Sequence, residues 1–191
     1  MIPSPRQRLL AGLIDAFLMG VWAAFAGVLV WLAAVAGVPP GTGLLGYNLI
    51  ALLLVVLPVT LALTALEAGV FEATPGKLRV GLRVRVAGSG ARIGHLRSLA
   101  RNLLKLGLPW TLAHLAVLAL VTAPAADAAA GALIAVIVPA SYAVSLFVGS
   151  GRTPYDWLTG TVVIATAPGR RVAAPADEDG GATPEESGSS R

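Results

Sequence analysis

The chain has no cysteine, which excludes both a disulfide framework and a thiolate metal centre. It also lacks a G-x-S-x-G elbow, an H-E-x-x-H helix and histidines paired at ligand spacing. The expectation is a protein that is not an enzyme and carries no metal or cofactor. "TPGK", Thr74 to Lys77, is similar to a phosphate loop only superficially, because the long glycine-spaced run is missing. It reads as a turn that opens a strand. Lysine and arginine are absent from the interiors of four long apolar runs, and that absence says the most.

Those runs extend from Leu9 to Val38, Leu49 to Phe71, Leu106 to Ala123 and Ala128 to Val148. Each is near the roughly 17–25 residues that a bilayer-spanning helix requires. The composition is 56% hydrophobic with a mean hydropathy of +0.78, above the roughly 45–50% apolar share of soluble domains. Four transmembrane helices follow. Ala34, Val35 and Ala36 make a site like that of a signal peptidase, but the apolar stretch before it contains Asp15 and far exceeds a signal core of roughly 7–15 residues. The first helix is therefore expected to be retained.

Short loops rich in lysine and arginine stay on the cytoplasmic side. Arg6 and Arg8 precede the first run, eight basic residues lie from Lys77 to Lys105, and Arg152, Arg170, Arg171 and Arg191 follow the fourth. The connections Pro39 to Asn48 and Pro124 to Asp127 have none. This one-sided distribution predicts a multi-pass protein of the cell membrane with both termini in the cytoplasm. The formal charge of +4 is explained by anionic lipid headgroups as the partner, and no nucleic acid is needed.

Within the first run, Gly12, Ala16, Gly20 and Ala24 form a small-residue stripe suited to close helix approach. Pro58 and Pro139 predict kinks in the second and fourth spans. "KLRVGLRVRV", Lys77 to Val86, alternates at period two, and "TVVIAT", Thr161 to Thr166, is rich in β-branched residues. Neither strand can satisfy its backbone alone, so the two are expected to pair as a cytoplasmic ribbon. From Ile93 to Leu106, one stripe carries Leu96, Leu99, Leu103 and Leu106 while another carries Arg97, Arg101 and Lys105. That pattern predicts an interfacial amphipathic helix whose basic residues meet lipid headgroups. The resulting fold is an all-α membrane protein over residues 6–167, with a short β-ribbon, followed by a Pro-, Gly-, Ser- and acid-rich tail, 168–191, expected to be disordered.

The polar residues that stand out collect toward one membrane face: Arg8 and Asp15 in the first span, Glu67 near the end of the second, Arg101, and Asp156 after the fourth. Arg8 and Asp15 are seven residues apart and so share a helical face. His114, about two turns into the third span, is a further candidate for the same layer.

At these positions the chain resembles the RDD family of small membrane proteins, named for an arginine and two aspartates. The matching pieces are "RLLAGLID" (Arg8 to Asp15), "TPGKLRVGLRV" with Glu67 before it, "ARNLL" around Arg101, and "YDWLTGTVVI" from Tyr155. By resemblance, Arg8, Asp15 and Asp156 are the naming residues, and the chain adds a fourth span to the shorter arrangement of many members. For some members an ion- or proton-exchange role has been proposed.

Two functions fit these residues. In one, Arg8, Asp15, Asp156 and Arg101 form a charge-paired clamp in a structural or accessory membrane subunit, acting within a homo-oligomer or with another membrane protein. In the other, Asp15, Asp156 and Glu67 line a cavity where protons and cations compete, as in an antiporter. The two differ in whether the buried acids exchange protons and cations or remain permanently paired with arginine.

Overall fold

The computed structural model describes residues 3–38, 43–122 and 125–166. The tail from 168 to 191 and parts of the two connections without lysine or arginine lie outside the described residues. Helix α1 (Pro5–Val35) starts at a capping box: the Ser4 hydroxyl accepts the Gln7 N–H at 3.2 Å, and Gln7 Oε1 accepts the Ser4 N–H at 3.0 Å. Pro5, which has no N–H to leave unsatisfied, occupies the first turn. At 1.5 Å per residue the helix is about 46 Å long, well beyond the ~30 Å hydrocarbon core. Its first turns, with Arg8 and Asp15, can therefore remain at the membrane boundary while the rest crosses.

Two prolines reshape the next spans. Helix α2 (Gly43–Ala51) widens into a π-helical stretch, Leu52–Val56, before α3 (Leu57–Ala68). Pro58 has no N–H and its ring crowds the Leu54 carbonyl four residues back. The Leu57 N–H accordingly bonds to the Leu52 carbonyl, one residue further than α geometry would reach. The freed Leu54 carbonyl accepts the Trp22 indole N–H at 2.9 Å, which ties α1 to the second span. Pro109 has the same effect after α5 (His95–Asn102): a π stretch, Leu103–Gly107, leads into α6 (Leu108–Thr122). There the Tyr142 hydroxyl, on α7 (Ala125–Ser145), donates to the Leu104 carbonyl at 2.9 Å. Helices α6 and α7 pack through Ala116, Ala128 and Gly131, small enough for close approach.

Four helices are long and apolar enough to cross a membrane: Pro5–Val35, Asn48–Ala68, His95–Val121 and Asp127–Ser145. Large apolar side chains such as Phe17, Trp31 and Leu120 point outward, as lipid-facing surfaces do. The third span begins at His95 rather than Leu106, because α5, the π stretch and α6 are continuous. This corrects the expected basic face at Arg101, which does not point outward with Arg97. Leu96 is 81% exposed, whereas Ser98, Arg101 and Asn102 are buried. The polar face turns inward because Glu67 and Asp156 wait there. The small-residue stripe Gly12, Ala16, Gly20 and Ala24 is exposed, and α1 buries Arg8, Ala11, Asp15 and Ala26.

Strands β1 (Leu82–Val86) and β2 (Thr161–Ala165) pair antiparallel, with Val84 opposite Val163 and Leu82 opposite Ala165. Leu82 and Val163 pack on Ala11, so the ribbon rests on the first helix. The strand is shorter than expected, since Pro75–Arg79 forms a five-residue helix, α4. "TPGK" is thus the start of a helix, not of a strand. A second short helix, α8 (Pro154–Leu158), starts at a capping box of Thr153 and Asp156 and leads into β2.

Candidate functional site

The site is built where α1, the end of α3, α4, the last turn of α5 and α8 converge beneath the ribbon. Glu67, in the last turns of α3, is 1% exposed. Both of its oxygens accept Arg101 Nη1, at 2.7 and 2.8 Å; Asn102 Nδ2 approaches at 3.2 Å, and the Lys77 ammonium forms an ion pair. Arg101, also 1% exposed, reaches the other way to Asp156 Oδ1 through Nε and Nη2, both at 2.9 Å. One guanidinium therefore joins two carboxylates from opposite ends of the sequence. Its carbon also lies 5.1 Å from the centre of the Tyr155 ring, within cation–π range.

Asp156 is saturated further by Thr153, whose hydroxyl and N–H donate to Oδ2 at 2.8 and 3.3 Å, and by the Thr161 hydroxyl on Oδ1 at 3.1 Å. Burial pushes this carboxyl upward, but the Arg101 charge and the Thr153 hydrogen bond outweigh it and hold Asp156 below the usual carboxylate range. Burial pushes the Lys77 ammonium down to about 8, and Arg101 adds to that against the pull of Glu67.

Asp15 takes a different part from the one its spacing suggested. Its Oδ2 accepts the Thr74 hydroxyl at 2.6 Å and its Oδ1 accepts the Gly76 N–H at 2.8 Å. The aspartate therefore holds the first turn of α4 against α1. Gly76 is indispensable to this approach, because a Cβ there would come within 2.1 Å of the Ala11 carbonyl oxygen. The expected partnership of Asp15 with arginine is corrected: among the described residues its partners are a hydroxyl and an amide. Arg8 does not pair with it either, although both are buried. Among the described residues the Arg8 guanidinium has one long contact, Nη2 to the Val163 carbonyl at 3.5 Å, and its Nε and Nη1 lack partners.

His114 lies elsewhere. Its ring contacts the Trp110 carbonyl at 3.0 Å and packs on the Trp110 ring, and it lines a cavity of about 410 Å³ with Asn48. The lipid-contact trio is divided as well: Arg97 is exposed and Lys105 half-buried, but Arg101 is sealed inside and cannot reach a headgroup.

Sequence reasoning did not single out Lys77, Thr74, Asn102, Thr153 and Thr161, which complete the network, or Glu72. Glu72 is fully buried, adopts a positive φ of 54°, and pairs with Arg83, Arg85 and Arg92. Three arginines around a β-ribbon were a visible signal that some carboxylate must meet them. Thr153-x-x-Asp156 was equally legible as a capping box.

Four apolar spans with a buried polar clasp at one end define an integral, multi-pass membrane protein. The sequence profile of the RDD family matches residues 2–127, a stretch that includes Arg8, Asp15, Glu67 and Arg101. The chain belongs to the RDD family. Asp156 lies beyond the matched stretch and joins the site through Arg101. Comparison with curated proteins and with solved structures finds no match.

Proposed function

We propose that the protein is a structural or accessory membrane subunit whose clasp of charges fixes the cytoplasmic ends of its spans, with both termini in the cytoplasm of a cell-membrane protein. One observation carries this reading: both oxygens of Asp15, Glu67 and Asp156 are already engaged by donors of the chain itself. A carboxylate that exchanges cations needs a free oxygen, and a paired buried charge is tolerated for the geometry that it imposes. The clasp joins α1 to α4, α3 to α5, and α5 to α8, so the ribbon and the helix ends become one body. A rigid end of this kind suits docking to a second copy or to another membrane protein. Arg97 and Lys105 remain for anionic headgroups.

Cation–proton exchange is the competing function, and flux decides between them. Purified protein in proteoliposomes is expected to show no cation-dependent proton flux above that of empty liposomes. Flux that disappears in Asp15→Asn or Asp156→Asn, with insertion intact, would overturn the accessory reading.

A further inference from the structure

One cavity is not explained by the clasp. Beneath the ribbon, a space of about 180 Å³ is walled by Arg8, Lys77, Arg101 and Lys105, with Asp15 and Asp156 as its acids. The acids are spent: Asp15 on α4, and Asp156 on Arg101 and its threonines. Glu67, immediately behind the wall, is spent on Arg101 and Lys77. Among the described residues four cations therefore face three carboxylates, a surplus of one positive charge. Two of the cations carry it. Among the described residues Arg8 is 8% exposed with Nε and Nη1 unpartnered and feels Asp156 only through space, and Lys105, half-buried, forms no hydrogen bond or ion pair and feels Glu67 in the same way.

Leaving a guanidinium buried without partners costs several kcal/mol. Water could relieve part of that, but water brings no charge. The volume is several times the ~30 Å³ of one water molecule, enough for a polyatomic anion. Gly151, with φ of 66°, lets the backbone pass close to Arg8: a Cβ there would lie 3.4 Å from Nη1. The guanidinium lines the space from α1.

We infer that this cavity is a binding site for a phosphate group, with Arg8 as its principal ligand and Lys105 as its second. Nε and Nη1 lie on different edges of the planar guanidinium, so one oxyanion engages a single edge through two oxygens and the other edge is left to water. A phosphate presents several strong acceptor oxygens and can reach Arg8 and the Lys105 ammonium at once. The group could be the headgroup of an anionic phospholipid or free phosphate. The inference does not rest on the accessory reading, since an exchanger could hold the same anion.

The test is thermal unfolding of the full chain in nanodiscs, in matched buffers with sodium phosphate or with sodium chloride at equal ionic strength. Discs of phosphatidylcholine alone are compared with discs containing phosphatidylglycerol. A melting temperature that rises with phosphate in phosphatidylcholine discs supports the site and assigns it to free phosphate. A rise in phosphatidylglycerol discs without added phosphate, together with phosphatidylglycerol retained through detergent purification, supports it and assigns a headgroup. Arg8→Met is expected to abolish the response, and Lys105→Gln to raise the half-saturating concentration at least about tenfold, the equivalent of one charge-assisted contact. Should Arg8→Met fail to assemble, Lys105→Gln decides. No response in either disc, or equal responses in wild type and the assembled variants, would overturn the assignment.

Discussion

Replacing Glu67 by Gln keeps the shape of the side chain and removes the charge that holds Arg101 and Lys77. Glu67 meets two cations of the clasp and an amide: Arg101 at 2.7 and 2.8 Å, the Lys77 ammonium, and Asn102 at 3.2 Å. All of these contacts are buried. Removing one member of a buried ion pair costs about 3–5 kcal/mol, because the partner charges stay behind. Asp156 continues to neutralise Arg101, which puts the expectation for Glu67→Gln toward the lower end, and Glu67→Leu toward the upper end. At about 2–4 °C per kcal/mol for a chain of this size, the loss is roughly 6–20 °C of melting temperature in a mild detergent. The decisive measurement is a double-mutant cycle with Arg101→Gln. Contacting groups in one network couple by roughly 0.5–3 kcal/mol, and the paired geometry here places the expectation at the upper half of that range. Additivity within about 0.3 kcal/mol would refute the clasp as an energetic unit.

The other predictions concern the groups around it. Asp15→Ala strands the Gly76 N–H and the Thr74 hydroxyl and should cost about 1–3 kcal/mol, whereas Gly76→Ala, which forces backbone against the Ala11 carbonyl, should prevent α4 from seating at all; trypsin cleavage at Lys77 and Arg79 would report it, and resistance equal to wild type would refute the close contact. Lys77 sits near 8 in the folded protein against an ordinary 10.5, so the unfolded chain binds more protons between those values and stability should rise with pH across that window; Lys77→Met should flatten the rise. Asp156 is depressed, so its stabilisation is present above about 4 and is lost as the pH falls through its folded value. Trp22→Phe removes the donor to the Leu54 carbonyl and should cost about 0.5–1.5 kcal/mol, seen as a lower unfolding midpoint with the spans still inserted.

The membrane spans were legible in the sequence because lipid imposes a long, uninterrupted apolar requirement that few other structures share. The ribbon was legible for a related reason, as period-two alternation survives wherever one face of a strand is buried. The ends of elements were not. Lys77 fits the alternation of "KLRVGLRVRV" yet lies in a helix, because Pro75 and the distant Asp15 carboxylate start α4 where local pattern reads strand. The basic stripe of α5 was read as facing headgroups for want of knowing that Glu67 and Asp156 lie behind it.

Sequence alone determined that the chain crosses a membrane, that it presents its basic residues together, and which handful of acids and arginines could not be left to lipid. Transfer energy decides those matters residue by residue, without reference to distant parts of the chain. Which acid meets which base was decided only by tertiary structure. Arg101 chose Glu67 and Asp156, Asp15 chose an amide and a hydroxyl, and Arg8 was left beside a cavity. Charge attraction is not selective among residues of the same sign, so the pairing follows from where the packed helices bring each group within a few ångströms.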